Sequence, residues 1–212
     1  MEPSYGKEHE YLGMKIKITD DRKLEINMSN QIEEIVEGFS EEIGGKVSSP
    51  ATRTLMDVDT EAPKLDEARA VEFHSTTAKL LHLEKRGRPD METVVALTFL
   101  YQTKNDVRVI GCDSLKGIFT WIDAAYAVHP NMRSQTGGII SLGWGALHAK
   151  SSKQKLNTKS STEAEIVGVS QYIPYNLWLI NFLKHQGYGI SQNVVYQDNQ
   201  SAIKMEKNGR NS

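Results

Sequence analysis

Three acidic positions in the second half of the sequence stand where carboxylates do chemistry. Asp123 lies within the apolar stretch 121–125 (WIDAA), Glu163 and Glu165 open a helical pattern at 162–186, and Asp198 follows directly on 194–196 (VVY). An aspartate inside an apolar strand is costly to bury unless something pairs with it. Asp198 falls at the C-terminal end of its strand, where open α/β sheets place ligands. Acids converging on a sheet end offer the oxygen ligands that hard divalent cations take, with phosphate oxygens and waters completing a magnesium shell. Two such ions can clamp the attacking and leaving oxygens of a phosphodiester.

Each acid also has a plainer use. Asp198 before Asn199 reads as a helix cap, and Glu163 and Glu165 as first-turn acids that favour the helix dipole. Asp123 is the hardest to explain structurally, because strands disfavour aspartate. With Ile166, Val169, Ile173, Leu177 and Ile180 as the buried stripe, both glutamates flank it, and periodicity does not choose between them. Lys150, Lys153, Lys155 and Lys159 precede this helix and read equally as phosphate contacts or as a solvated loop. His129 and His148 read as structural or surface residues, since magnesium prefers oxygen. Trp121, Trp144 and Trp178 read as core, and Pro174 predicts a kink in the helix.

The elements that must position these acids follow from texture. Residues 116–126, 136–143 and 145–150 read as strands, 162–186 as a long helix, 193–197 as a strand and 199–207 as a helix. That order predicts an α/β domain with a mixed sheet and flanking helices. Upstream, period-2 alternation over 10–28 around the turn 20–22 (DDR) predicts a hairpin. A helix capped by Ser29 or Asn30, with Glu33 in its first turn, is expected to end at Gly44 and Gly45. Residues 46–64 read as a linker, 66–86 as a second helix, and 90–102 as a third with Pro89 in its first turn. The expected domains are 1–104, small and α+β, and 105–212, α/β.

Composition narrows the classes. A net charge of −2 means that nucleic-acid binding would need a local basic surface rather than bulk charge. The single cysteine, Cys112, excludes an internal disulfide framework and a cysteine-based zinc site. No apolar run approaches the roughly 20 residues of a membrane span, and the polar start (MEPSYGKEHEYLG) does not read as a secretory signal.

Five segments, in order, resemble the ribonuclease H region of Ty1/copia-type retrotransposon Pol polyproteins: 122–126 (IDAAY), 133–138 (RSQTGG), 152–155 (SKQK), 160–166 (SSTEAEI) and 196–203 (YQDNQSAI). Upstream, 11–14 (YLGM) resembles the strand after the family's polymerase palm, and 88–90 (RPD) an element of its connection region. The resemblance implies a ribonuclease H-like domain preceded by a reverse-transcriptase thumb/connection remnant. It places catalytic, metal-holding acids at Asp123, Glu165 and Asp198, with Glu163 in reserve, since 165–168 (EIVG) fits the wider ribonuclease H pattern. It implies two Mg²⁺ ions, with Mn²⁺ an alternative, and hydrolysis of the RNA strand of an RNA–DNA hybrid. Lys153, Lys155, Lys159 and Asn199 are the expected nucleic-acid contacts. No membrane and no small-molecule cofactor are implied; the location is unknown, and intracellular, cytoplasm or nucleus, only if the chain is expressed. The family's palm, its final strand and helix with a fourth acid, and part of its connection region have no counterpart here. The expectation is therefore a polyprotein fragment without polymerase activity, its nuclease weak or inactive; the alternative is a non-catalytic nucleic-acid-binding or inert relic.

Overall fold

Leu12 and Gly13 both carry positive φ, 49° and 78°, the backbone twist that a two-residue hairpin turn demands. They join β1 (Glu8–Tyr11) to β2 (Met14–Ile18), with Tyr11 opposite Met14. Alternation alone predicts one strand from Tyr11 onward; the turn divides it, because period-2 patterning does not register a tight reversal. The computed structural model describes residues 5–41, 43–49, 51, 55–91 and 97–209. Among them are two sheets and five α-helices, a mixed α/β architecture. The chain divides into two compact units, residues 1–110 and 111–212.

In the first unit, β2 pairs with β3 (Leu24–Asn27), and β3 with β4 (Arg108–Cys112), all antiparallel. The expected hairpin at 10–28 thus lies in β2–β3. Helix α1 (Ser29–Glu37) has Met28 at its N-cap and no side-chain cap; just ahead of it, Asn27 Oδ1 accepts from the Ser29 N–H at 2.9 Å and the Ser29 hydroxyl at 2.8 Å. Neither Ser29 nor Asn30 supplies the cap. The helix ends at Gly38, short of the expected Gly44. Past Gly38 the chain is captured by Glu72, which accepts from the Ser40 N–H and hydroxyl at 2.6 and 2.7 Å. Glu72 belongs to α2 (Glu67–Arg86), whose start is capped by Asp66 accepting from the Arg69 N–H at 2.9 Å. A short 3-10 turn (Pro89–Met91) and α3 (Leu97–Gln102) occupy the third expected helix, whose residues 92–96 lie outside the described ones. Ile26, Met28, Ile32, Ile35, Leu80, Leu83, Met91 and Leu100 form one buried cluster. Arg88 closes its rim. Its guanidinium, 4% exposed, donates to Asp90 Oδ1 at 2.9 Å, Asp90 Oδ2 at 2.7 Å, Thr103 O at 3.0 Å and Thr103 Oγ1 at 2.7 Å.

The second unit holds β5 (Gly117–Ala125), β6 (Gln135–Ser141), β7 (Gly143–Trp144), β8 (His148–Lys153), α4 (Ser161–His185), β9 (Gln192–Tyr196) and α5 (Gln200–Asn208). Its main sheet runs β8-β6-β5-β9, with β9 parallel to β5 and the other pairs antiparallel. This is the mixed sheet that the sequence predicts. At one side, Gly111 and Cys112 pair with the short β7. Period-2 alternation sorts β5: Ile118, Thr120 and Ile122 are buried, while Trp121 and Asp123 are exposed.

Helix α4 covers the buried face along part of the expected stripe: Val169 is buried, and Ile173 and Ile180 pack against the core. Ala164, Glu165, Gly168, Val169, Tyr172, Asn176, Leu179 and Leu183 are buried, whereas Leu177 is 51% exposed. Small residues let the helix approach closely. A Cβ on Gly168 would meet Thr136 Cγ2 at 3.2 Å and Ile122 Cγ2 at 3.4 Å. Asn176, fully buried, donates to Thr120 Oγ1 at 2.8 Å and exchanges amide hydrogen bonds with Asn193 at 2.9 Å. The helix runs unbroken through Pro174. The tryptophans are a correction: none is core. Trp121, Trp144 and Trp178 are 44%, 50% and 64% exposed. Trp121 stacks on Tyr196 on the outward sheet face, Trp178 stacks on Phe182 outside α4, and Trp144 donates to Asp113.

Candidate metal centre

Strand pairing brings the first two acids level. Trp121 of β5 faces Tyr196 of β9 as the last parallel pair, and Asp123 and Asp198 each follow two residues later. With a side-chain period of two, both return to the side of the sheet on which Trp121 and Tyr196 stack. Directly across from Asp123 on β6 stands Gly137, at which a Cβ would meet nothing within 4 Å. The result is an open depression of about 620 Å³, bordered by Trp121, Asp123, Gly137, Ile139, Tyr196 and Asp198.

The third acid arrives from α4, and the helix cap decides which glutamate it is. Ser160 Oγ accepts from the Glu163 N–H at 3.2 Å, and Glu163 Oε2 accepts from the Lys159 N–H at 2.7 Å. This is close to a reciprocal capping box, and it leaves Glu163 exposed. Glu165, 5% exposed, is turned toward the strand ends. One carboxylate oxygen each from Asp123, Glu165 and Asp198 lie within 4.8 Å of one another. Among the described residues this is the one such group of three or more potential ligands.

Electrostatics mark Glu165. Burial pushes its carboxyl above the usual range; hydrogen bonds from the Gln197 amide and the Ala124 backbone oppose that shift, while Asp123 and Asp198 add to it. Gln197 Nε2 donates to Glu165 Oε2 at 3.0 Å. No lysine or arginine ion pair to any of the three acids is present among the described residues. Three hard oxygen donors without a protein cation suit a divalent ion with oxygen preference.

The remaining expected residues fall around this centre. Lys153 ends β8 and pairs with Gln135, which pairs with Ala125; it therefore shares a sheet face with Asp123, two strand spacings or about 10 Å across. Lys155 and Lys159 are exposed on the chain between β8 and α4. Asn199 caps α5, its Oδ1 accepting from the Ala202 N–H at 3.0 Å. His129 bonds Gln135 Oε1 at 2.8 Å and His148 stacks on Tyr175; neither belongs to the acid cluster. Two residues at the site escape sequence reasoning. Gln197 shows only as the alternate position before Asp198, and Gly137 only as half of a glycine pair.

Comparison with known proteins now has a site to speak to. The chain is 29% identical over 230 aligned positions to the Retrovirus-related Pol polyprotein from transposon TNT 1-94 of Nicotiana tabacum, covering 96% of this chain and 17% of that protein. Its homologues are Ty1/copia-type retrotransposon polyproteins. The Transposon Ty1-LR3 Gag-Pol polyprotein of Saccharomyces cerevisiae is 25% identical over 211 positions, covering 84% of this chain and 12% of its own length. The Ty1-NL2 Gag-Pol polyprotein of the same yeast reaches 43% over 63 positions, 30% of this chain. These relatives support a retrotransposon Pol fragment that spans less than a fifth of the curated polyproteins it matches. The tobacco alignment, at 230 positions, is longer than the 212 residues of this chain, so that relative carries stretches absent here. No family model and no solved structure matches. No helix among the described residues is long and apolar enough to cross a membrane.

Proposed function

We propose that the second unit is a ribonuclease H-like domain built to hydrolyse the RNA strand of an RNA–DNA hybrid, and that the first is a reverse-transcriptase thumb/connection remnant. The observation that carries this reading is the meeting of Asp123, Glu165 and Asp198, whose ligand atoms lie within 4.8 Å. When bound, a pair of Mg²⁺ ions, or Mn²⁺, supplies Lewis-acid stabilisation to the attacking and leaving oxygens of a phosphodiester. The donor set fits such ions: carboxylates only, two exposed to substrate and one held from behind. Asp123 and Asp198 face the open depression, and Glu165 anchors the cluster from α4, its carboxylate oriented by Gln197. Gly137 leaves the approach to Asp123 clear. Lys153, on the face of Asp123, and the exposed Lys155 and Lys159 would meet backbone phosphates. Asn199 commits its Oδ1 to the cap and keeps its amide N–H₂ to donate. The absence of a base-reading motif suits recognition of hybrid shape through 2′-hydroxyls and backbone.

One observation favours a second reading, a non-catalytic or inert relic. Trp121, Ile139 and Tyr196 leave apolar area open on the outward sheet face, 44%, 42% and 44% exposed, and an uncovered patch of this kind is an interaction or aggregation surface rather than a phosphate-binding one. Cleavage of a labelled RNA–DNA hybrid with Mg²⁺, comparing the chain with Asp123→Asn, separates the two. The nuclease reading expects a loss of roughly 100-fold or more in the variant. Equal signal from both proteins leaves only the relic.

A further inference from the structure

A group of buried polar side chains lies at the start of β6 and on the chain leaving β8. Ser134, Thr136 and Gln154 are fully buried and Thr158 nearly so. Gln154 sits one residue past β8. Its backbone N–H donates to Ser134 O at 2.8 Å, and its side-chain amide donates twice, to Thr136 Oγ1 at 2.9 Å and to Ala164 O at 2.8 Å. Ser134 Oγ accepts from the Ala127 N–H at 3.1 Å and shares a hydrogen bond with Thr158 Oγ1 at 2.9 Å. One network therefore ties together the turn after β5, the start of β6, the chain leaving β8 and the first turn of α4. Its two ends are next to acids: Ala164 precedes Glu165, and Thr136 pairs with Ala124, the neighbour of Asp123.

We propose that Gln154 is a positioning residue, its amide fixing the first turn of α4 against β6 and so setting where the Glu165 carboxylate meets Asp123 and Asp198. Two observations carry this. The later turns of α4 are held by directed bonds, Tyr172 to the carbonyls of Gly138 and Lys150 and Asn176 to Thr120, but near Glu165 the helix meets the sheet through small side chains, with Gly168 over Thr136 and Ile122. Contacts of that kind are non-directional; a planar amide with two directed N–H bonds fixes the first turn. The Ala164 carbonyl can only accept, so it fixes which way the amide faces. Second, Gln154 Oε1 is buried with no hydrogen-bond partner. An unmatched buried acceptor opposes folding, so what holds the side chain is its pair of donated bonds, to Thr136 and to the Ala164 carbonyl beside Glu165.

The importance of the position rests on the metal-site reading, so the test has one arm that needs the metal and one that does not. The full chain is titrated with Mg²⁺ by calorimetry, and backbone amide exchange is followed at residues 164–166 against residues 176–183 as internal reference. Gln154→Leu, which leaves Thr136 Oγ1 and the Ala164 carbonyl without the amide, is expected to lower the unfolding midpoint modestly, to lower Mg²⁺ affinity about 10-fold and to speed exchange at 164–166 relative to 176–183. Thr136→Val, which keeps shape and loses the hydroxyl, is expected to weaken Mg²⁺ binding roughly threefold. Thr136→Ser, smaller but with its hydroxyl, stays near the parent. A packing role gives the reverse order, Val near the parent and Ser impaired, and would overturn the proposal. So would unchanged affinity and exchange in Gln154→Leu. If that variant does not fold, the Thr136 pair decides. If the parent chain binds no Mg²⁺, the proposed nuclease site fails by itself, and exchange at 164–166 still judges the role of Gln154.

Discussion

Arg88 in the first unit and Glu165 in the second are charged side chains buried to the same degree, 4% and 5% exposed, and treated in opposite ways. Arg88 is balanced by the Asp90 carboxylate and saturated by Thr103. Glu165 has one neutral side-chain partner, Gln197, and two carboxylates as neighbours. A buried charge that is balanced is a structural device; one surrounded by like charge is a site awaiting something from outside. Burial alone does not separate the two, whereas the sign of the neighbours does.

The contrast can be broken or sharpened by experiment. The largest effect belongs to the shared ligands: Asp198→Asn is expected to lower Mg²⁺ affinity on the order of 100-fold in calorimetry, with little change in stability, because Asp198 is exposed. Next, Arg88→Met should lower the unfolding free energy by about 2–3 kcal/mol in urea titration, through lost charge-assisted hydrogen bonds. Its Mg²⁺ binding should not change, and a parallel loss would blur the distinction between the units. Third, Glu165→Gln keeps the size of the side chain and removes the charge. It should raise stability without metal at neutral pH while weakening Mg²⁺ binding, the opposite sign to Arg88.

The pH dependence follows from the same residue. The Glu165 carboxyl is raised by burial, so between the ordinary glutamate value and the raised one the folded chain holds a proton that the unfolded chain has released. Stability from this group is complete below the ordinary value and falls as pH rises through the raised one. A midpoint-against-pH series should show this decline in the parent, its absence in Glu165→Gln, and its offset by Mg²⁺. An identical series in both proteins would remove the electrostatic account. The smallest effect is at the reserve glutamate: Glu163→Ala should cost about 0.5–1 kcal/mol of stability through the helix cap and leave Mg²⁺ affinity alone.

Much of the centre is legible in the sequence because strand alternation is rigid. Asp123 and Asp198 each break an apolar run, and a period of two then fixes their side of the sheet. Helix α4 is less legible. Val169, Leu179 and Leu183 are buried, but so are Gly168 and Asn176, while Leu177, Trp178 and Phe182 face outward, so hydrophobicity marks the buried face only in part. The choice of Glu165 over Glu163 lies in cap geometry, in the bond from Lys159 N–H to Glu163. Helix α1 stops early for a tertiary reason, the capture of Ser40 by Glu72 on α2, which no local pattern contains. The outward tryptophans defy the usual preference of large rings for the interior because each has a ring or a carboxylate to lie against.

The paired asparagines under α4 carry one more consequence. Asn176 touches Thr120 on β5 and Asn193 on β9 together. The two strands are far apart in sequence, and such parallel partners come together late in folding. A shift of β9 by one residue would put the apolar Val194 or the longer Gln192 where Asn193 now meets the clasp, and would swing Asp198 to the opposite side of the sheet. The asparagine clasp thus works as a proofreading notch: only the alignment that satisfies it also levels the two aspartates.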